Sequence, residues 1–596
     1  LRLPGQALAH GTRHRLHVAW PGGTGERLPA CARRVVQDPA SRSWDAEVWA
    51  PERPFAWRHP KPGRHEGPLL VYETHVGMAQ EAPRVGTYDE FRRELLPRVR
   101  DAGYDAVQVM GLAEHPYYGS FGYQVSSFFA CSSRFGTPDE LKALVDAAHG
   151  MGLHVLVDLV HSHCARNEVE GISRQDGSDR QYVHPGARGE HAAWGSRCFA
   201  YQKEGVLRFL LSNCRFWLEE FKVDGFRFDG VTSMLYTHHG IAHVFGDYRE
   251  YFDDAVDEHA LVYLTLANEL VHDVAPDAIT IAEDVSGMPG LALPRRAGGA
   301  GFDYRFAMGV ADEWIRLVKD VKDEDWSIEE LWYELTNRRR DERTIAYAES
   351  HDQALVGDQT LIFRLIGDRM YEAMSVDTKD LRVDRGVALH KLVRLLTLAT
   401  AGHGYLNFMG NEFGHPDWID FPREGNEWSF AYARRQWSLA DDERLRYRHL
   451  LAFDRALIAL ARAHGVPDGE DEYLLRADEE RHVLAFLRGD LLFAVNLHPS
   501  KSYDACPIPA APGEYEVVLD TDDAAFGGHG RQDPSVRHAT WTDRIHRHFL
   551  HLYLPARTAL VLRAAARDAK PPPPPPESRA RPAGSRRARS RQRPLG

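Results

Sequence analysis

Residues 223–234 read VDGFRFDGVTSM, a short apolar run that ends on an acid. Successive side chains of a strand turn to opposite faces, so Phe226, Phe228 and Gly230 point one way while Arg227 and Asp229 point the other. Two opposite charges on one strand face can simply close an ion pair, and such pairs perturb carboxylates without any catalytic role. The two readings separate on whether other strands of the chain end in the same manner. Just upstream, Leu207, Leu210, Leu211, Cys214, Leu218 and Phe221 recur at helical spacing, so the strand follows an amphipathic helix whose stripe faces a core.

That helix–strand unit repeats. From Leu69 onward the clearest strands are LLVYETHV (69–76), YDAVQVMGL (104–112), LHVLVDLVH (153–161), DGFRFDGV (224–231), AITIAEDV (278–285), RTIAYAESHD (343–352) and YLNFMGNEF (405–413). An eighth falls near GFDYRFAMGV (301–310). Helix starts between them are explicit: Thr87 with Glu90 and Thr137-Pro138 with Glu140 are capping boxes, and Leu141, Leu144, Val145 and Ala148 then share one face. Alternating strands and helices predict a parallel sheet, and eight strands favour a closed (β/α)₈ barrel over an open doubly wound sheet. No GxGxxG or GxxxxGK[ST] follows a strand, which takes weight from the nucleotide-binding α/β folds.

The flanks have a different texture. Residues before about 66 are strand-like pieces broken by Pro and Gly, and strand texture returns after about 470 in EYLLRAD, RHVLAFLRGDLLFAVNLH, EYEVVLDT and RTALVLRA, the pattern of an all-β sandwich. Beyond Ala564 the hexaproline 571–576 and the Arg/Ser/Pro-rich end hold too little apolar material to fold, so the tail is expected to be disordered and dispensable.

The whole chain has 596 residues, 43% hydrophobic and 27% charged, with a net charge of −13, which argues against nucleic acid or an anionic membrane as partner and suits a neutral substrate. Six single cysteines with no CxxC pair suggest neither a zinc site nor a disulfide framework. No run of about eighteen apolar residues reads as a membrane span, and the first residues carry no signal-peptide pattern. A start at Leu1 rather than Met suggests that the sequence begins inside a longer chain.

Catalytic groups of a barrel lie at the C-terminal ends of its strands. Here those ends carry Asp158, His161 and His163; Arg227 and Asp229; Glu283 and Asp284; Glu349, His351 and Asp352. Gathering so many charges around one cavity is costly unless function requires it. Glycoside chemistry requires two such carboxylates, one as nucleophile and one as acid then base, and a third acid can tighten on the substrate as its ring flattens. On this reading Arg227 keeps Asp229 anionic, because an opposite charge lowers a carboxylate pKa. A metal reading of Asp158, His161 and His163 competes, since His-x-His puts two imidazoles on one strand face, but Asp158 has the opposite parity and no further ligands stand at suitable spacing. No metal and no cofactor are expected. Tyr117, Tyr118, Phe121 and Tyr123, set among glycines in a loop after a strand, are candidate stacking platforms for sugar faces.

The segments DLVHSH, GFRFDGV, IAEDVSG and ESHDQ stand in the order and spacing of the four sequence regions of the α-amylase superfamily. Longer stretches, from EHPYYGSFGYQVSSFF through DGVTSMLYTHHGI and GFDYRFAM to YLNFMGNEFGHPDWIDFPREGNEWSF, resemble the eukaryotic-type 1,4-α-glucan branching enzymes, and the resemblance runs from about Trp44 to Leu562. It implies Asp229 as nucleophile, Glu283 as general acid/base and Asp352 as transition-state stabiliser. It further implies Asp158, His163, Arg227 and His351 around the cleaved glucose, with Tyr123 stacked under it. The implied division is the C-terminal part of a carbohydrate-binding β-sandwich over 1–55, the catalytic barrel over 56–468, a C-terminal β-sandwich over 469–563 and the tail over 564–596. The implied activity is transfer of an α-1,4-glucan segment to a C6 hydroxyl by a retaining double displacement, on glycogen, amylose or amylopectin, by a monomer. A hydrolase or debranching enzyme on the same fold, and a catalytically silent glucan-binding protein, are the alternatives. The expected location is cytoplasmic, or plastidial if a transit peptide precedes Leu1. Glu269 departs from the family pattern, which has His or Asp there.

Overall fold

The computed structural model describes residues 8–355, 358–469 and 472–565. The Pro/Arg-rich tail expected to be disordered lies, from residue 566, outside the described residues.

Eight strands close into a parallel barrel: β1 (Leu69–His75), β2 (Ala106–Met110), β3 (His154–Leu159), β4 (Gly225–Phe228), β5 (Ile279–Ala282), β6 (Tyr304–Phe306), β7 (Thr344–Ala346) and β8 (Gly404–Phe408), with β8 paired to β1. The eighth strand expected near residues 301–310 is β6. Alternation along the strands builds two layers. Leu69, Val71, Leu156, Ile279, Ile281, Tyr304, Phe306, Ile345 and Leu406 form a separate apolar cluster that fills the barrel, while Phe226, Phe228, Val155 and Val157 belong to the larger core outside it. Two positions further along the inward faces, the apolar series gives way to Glu73, Asp158 and Arg227, all buried. The plug therefore forms the floor of a cavity with charged walls.

Both capping boxes form, and the second opens helix α1 (Pro138–Gly150) with Leu141, Leu144, Val145 and Ala148 buried. In helix α2 (Glu204–Glu220) the buried face is Val206, Phe209, Leu210, Asn213, Cys214, Trp217 and Leu218, with Leu207 and Leu211 only partly covered. The face is turned from the sequence reading because Phe209 packs edge-on against Phe128 and Phe129, at centroid distances of 5.7 and 5.3 Å.

Before the barrel, Arg13–His14, Trp44–Glu47 and Val35–Gln37 form a small antiparallel sheet beside the hairpin Leu16–Trp20/Gly23–Arg27. After it, a six-stranded sheet runs in the order Tyr473–Asp478, Val483–Arg488, Leu491–Asn496, Thr558–Ala564, Glu514–Asp520, His538–Ala539. Its inner face shares a core with Tyr503–Pro509 and His548–Leu554, which belong to a second sheet. Glu472 fastens this unit to the foot of the barrel by pairing with Arg338, Arg340 and Arg488, and Arg488 also donates to the Ala401 and Gly402 carbonyls at 2.8 and 3.0 Å. Among the described residues no helix is long and apolar enough to cross a membrane.

Candidate active site

The strands end earlier than their apolar runs: β4 stops at Phe228 and β5 at Ala282. The hydrogen-bond ladder nevertheless continues by one rung, since Asp229 N–H donates to Leu159 O and Glu283 N–H to Phe228 O, both at 3.1 Å. The two acids are thus fixed by sheet geometry at the open end of the barrel, although each belongs to a loop.

Arg227 is the hub. Asp158 and Arg227 are register partners on β3 and β4, so their side chains meet directly. Nη1 of Arg227 donates to Asp158 Oδ2 at 2.9 Å and Asp229 Oδ1 at 2.8 Å, and Nη2 lies 2.8 Å from Glu283 Oε1. Tyr123 donates its hydroxyl to Asp158 Oδ2 at 2.8 Å and stacks on His351, with centroids 5.3 Å apart and planes at 15°. His351 in turn lies 2.8 Å from Glu73 Oε1 through Nδ1 and 3.2 Å from Asp352 Oδ1 through Nε2. One cavity therefore holds five carboxyl groups, one guanidinium and one imidazole.

Burial acts first on Asp158, Asp229 and Glu283, because a low-dielectric site disfavours the charged form. It pushes Glu283 up to about 8 against the pull of Arg227, with Asp229 and Asp352 adding to the rise. Asp158 rises for the same first reason to about 6. Asp229 is raised as well, by burial and then by Asp352, with Arg227, His351 and Ser162 opposing. The expected lowering by Arg227 is therefore outweighed: one guanidinium shared among three carboxyl groups does not repay their desolvation. His351 moves the other way. Burial would depress it, but Asp352 and Glu73 hold it up at about 10, so the ring is cationic at neutral pH.

Of the residues singled out in the sequence, Tyr123, Asp158, Arg227, Asp229, Glu283, His351 and Asp352 converge. His163 lies at the edge, its ring 4.9 Å from Trp194, with Nδ1 buried and unpartnered among the described residues. His161 turns into the core, bonded to Tyr263 Oη at 2.5 Å and Asn213 Oδ1 at 2.9 Å, so the three residues of the metal reading diverge. Asp284 is taken by Arg305, Thr232 and Ser286, and Glu349 accepts the Leu361 N–H at 3.2 Å. Glu269 sits on an exposed helix face paired with Arg295, away from the cluster. Among the loop aromatics, Tyr118 packs edge-on against Phe421 at 4.6 Å and Phe121 against the same ring at 4.4 Å, so both are partly buried against Phe421, whereas Tyr117 is exposed.

Sequence reasoning missed Glu73, Ser162 and Trp194. Ser162 donates to Asp229 Oδ2 at 3.3 Å, and the Trp194 ring lies over Gly230, where an added Cβ would meet it at 2.9 Å. For Glu73 a signal existed: it continues the inward parity of Leu69 and Val71, a lone acid on the core face of an apolar strand.

Comparison with known proteins fits this picture. Residues 94–357 match the family model described as alpha amylase, catalytic domain, and residues 473–565 the one described as alpha amylase, C-terminal all-beta domain. The chain is 50% identical to the 1,4-alpha-glucan-branching enzyme of Rhizophagus irregularis over 565 residues, covering 93% of this chain and 82% of that relative. It is 50% identical to the enzyme of the same name from Felis catus, over 94% of this chain and 80% of the other. The chloroplastic/amyloplastic 1,4-alpha-glucan-branching enzyme 2-2 of Arabidopsis thaliana is 47% identical, over 94% and 72%. Among solved structures, the catalytic module of a glycogen-degrading pneumococcal virulence factor superimposes with a TM-score of 0.68 at 15% identity, over 93% of this chain and 87% of that one. At that identity it speaks for the fold alone.

Proposed function

Because the chain belongs to the 1,4-α-glucan-branching enzymes of the α-amylase family, we infer that the charged mouth of its barrel cleaves an α-1,4-glucan and transfers the freed segment to a C6 hydroxyl, forming an α-1,6 branch. The observation that carries the assignment of roles is the Arg227 bridge. It holds Asp229 and Glu283 against one guanidinium, the close pairing that a retaining mechanism needs, while burial leaves Glu283 carrying a proton at neutral pH.

In the first step an Asp229 oxygen bonds to the anomeric carbon as the bond to the departing O4 breaks, and Glu283 gives its proton to that oxygen. In the second, Glu283 takes the proton of the acceptor's C6 hydroxyl, O6 bonds to the anomeric carbon and Asp229 is released. Two inversions give net retention, with no added group supplying chemistry. Asp352, beside the cationic His351, is the acid proposed to hold substrate hydroxyls as positive charge develops on the ring. Tyr123, Asp158, His163, Arg227 and His351 are the proposed walls of the subsite for the cleaved glucose. A monomer is the proposed working unit, and glycogen, amylose and amylopectin all qualify as the glucan. Residues 1–55 are proposed to be the last part of a carbohydrate-binding module.

The test is amylose treated with the protein and followed by iodine colour and by reducing ends. A branching transferase weakens and shifts the colour with almost no new reducing ends; reducing sugar rising in step with colour loss would make the protein a hydrolase.

A further inference from the structure

The branching reading requires a place for the second glucan, and this inference rests on that reading. We propose that the exposed face made by Trp194, Tyr248, Phe252 and Val285 holds the acceptor, an α-1,4-glucan chain lying across the barrel mouth on the Glu283 side.

The face is built directly on the two catalytic loops. After Asp229 and Gly230 the chain makes the short helix α3 (Val231–Leu235) and then an excursion over 237–256 that returns to its own start, with Thr237 N–H donating to Ala255 O at 2.8 Å and Asp257 N–H to Leu235 O at 2.7 Å. It is fastened to the loop after Glu283: Thr232 Oγ1 accepts the Val285 N–H at 2.9 Å, and a Cβ on Gly287 would stand 3.4 Å from the Tyr251 hydroxyl. Within the excursion aromatic rings run outward in contact, Tyr236 to Phe245 at 4.8 Å, Phe245 stacked on Tyr251 at 5.1 Å, Tyr251 to Tyr248 at 5.9 Å and Tyr248 to Phe252 at 5.6 Å. The inner end, Tyr236, is buried; at the outer end Tyr248 and Phe252 are 61% and 56% exposed, and Val285, which lines a common pocket with Tyr251, is 58% exposed.

The excursion turns sharply before its aromatic end. His239 and Ala242 adopt left-handed φ of 59° and 52°, a conformation costly for residues with a Cβ and found where surroundings or function impose it. Trp194 stacks on His191 at 3.9 Å and 8°, and His191 meets His239 at 4.6 Å, so the indole over Gly230 is joined to the excursion through its His239 turn.

Chemistry selects the occupant. Flat aromatic faces edged by the charged Asp247, Arg249 and Glu250 suit a neutral chain with apolar ring faces and a hydroxylated edge. Position selects its role. Glu283 must take the proton of the incoming hydroxyl, so the acceptor arrives on its side, which the departing segment has vacated, while Tyr123 and His351 wall the opposite side. Holding that chain in place gives its hydroxyl an advantage over water.

The experiment measures branches formed per reducing end released from amylose, with a linear maltooligosaccharide added as acceptor at increasing concentration. The double variant Tyr248→Ala/Phe252→Ala should melt like the natural protein, lower that ratio by about tenfold and raise the acceptor concentration for half-maximal transfer. Tyr248→Trp/Phe252→Tyr should restore both. An unchanged ratio and acceptor dependence in the alanine variant would overturn the proposal, as would a natural dimer that the alanine variant splits, since the face would then join two copies. If the natural protein itself releases reducing ends without making branches, the functional reading fails first, before any variant is compared.

Discussion

The backbone N–H of Gly230 donates to Glu283 Oε2 at 2.6 Å, so the residue that follows Asp229 holds the carboxyl group of the neighbouring strand end. The proposed nucleophile and acid/base are thereby spaced by main chain as well as by Arg227, and the substrate need not position them.

Replacing Asp229 by Asn keeps the side-chain shape and removes the proposed nucleophile. Turnover on amylose should fall by about 10⁴-fold or more, the scale of loss when a covalent nucleophile is removed. Initial rates from the iodine assay check this, and near-normal turnover would remove Asp229 from the mechanism.

Glu283, the proposed acid/base, should set the alkaline limit. With its proton held to about pH 8, kcat/KM should decline as pH rises through that value, because the first step needs the acid form. Linkage has the same sign: a carboxyl raised above its ordinary 4.5 contributes stability that is fully present below that value and is lost as pH rises through 8. Glu283→Gln should abolish transfer while melting temperature falls less between pH 5 and pH 9 than in the natural protein. Parallel melting curves across that range would contradict the assignment.

Glu73 acts through His351. In Glu73→Gln the imidazole loses one of its two carboxylate partners and should titrate below its present value of about 10. Each unit of that fall is ~1.4 kcal/mol, or about tenfold in rate if it is fully felt in the transition state. NMR titration of the His351 ring beside kcat/KM measures both; a rate loss with the titration unmoved would make Glu73 merely structural.

Glu472 is a stability residue. Glu472→Ala takes a buried carboxylate from Arg338, Arg340 and Arg488 and should cost about 3–5 kcal/mol. Urea unfolding should register that loss, with transfer at 25 °C largely kept, because the cluster lies at the foot of the barrel.

The barrel was legible because eight apolar runs, helix stripes and capping boxes agree locally, each reporting burial that the fold then supplies. The acids at strand ends were legible as a group. Which of them face the cavity was not: Glu283 and Asp284 are neighbours in sequence, and Asp284 is turned aside by Arg305 and Thr232, partners set by tertiary structure. Glu73 carried a signal in its inward parity after Leu69 and Val71, but its partner His351 is set by tertiary structure and no local motif marks the pair. Trp194 was hidden because its approach to Gly230 depends on the path of a long loop. The direction of the Asp229 shift needed the number of carboxyl groups sharing Arg227, which no local motif contains.

The pairing of β8 with β1 bears on how the chain is made. Tyr72 on β1 donates to Glu412, just beyond β8, at 2.6 Å across 340 residues of sequence. At about 5–20 residues per second, translation takes roughly 20 to 70 seconds to cover that distance. Throughout that interval one edge of β1 is an unpaired strand on the ribosome, open to any other strand in reach. Chaperone occupancy or aggregation of the nascent protein should therefore fall only after residue 408 has left the exit tunnel.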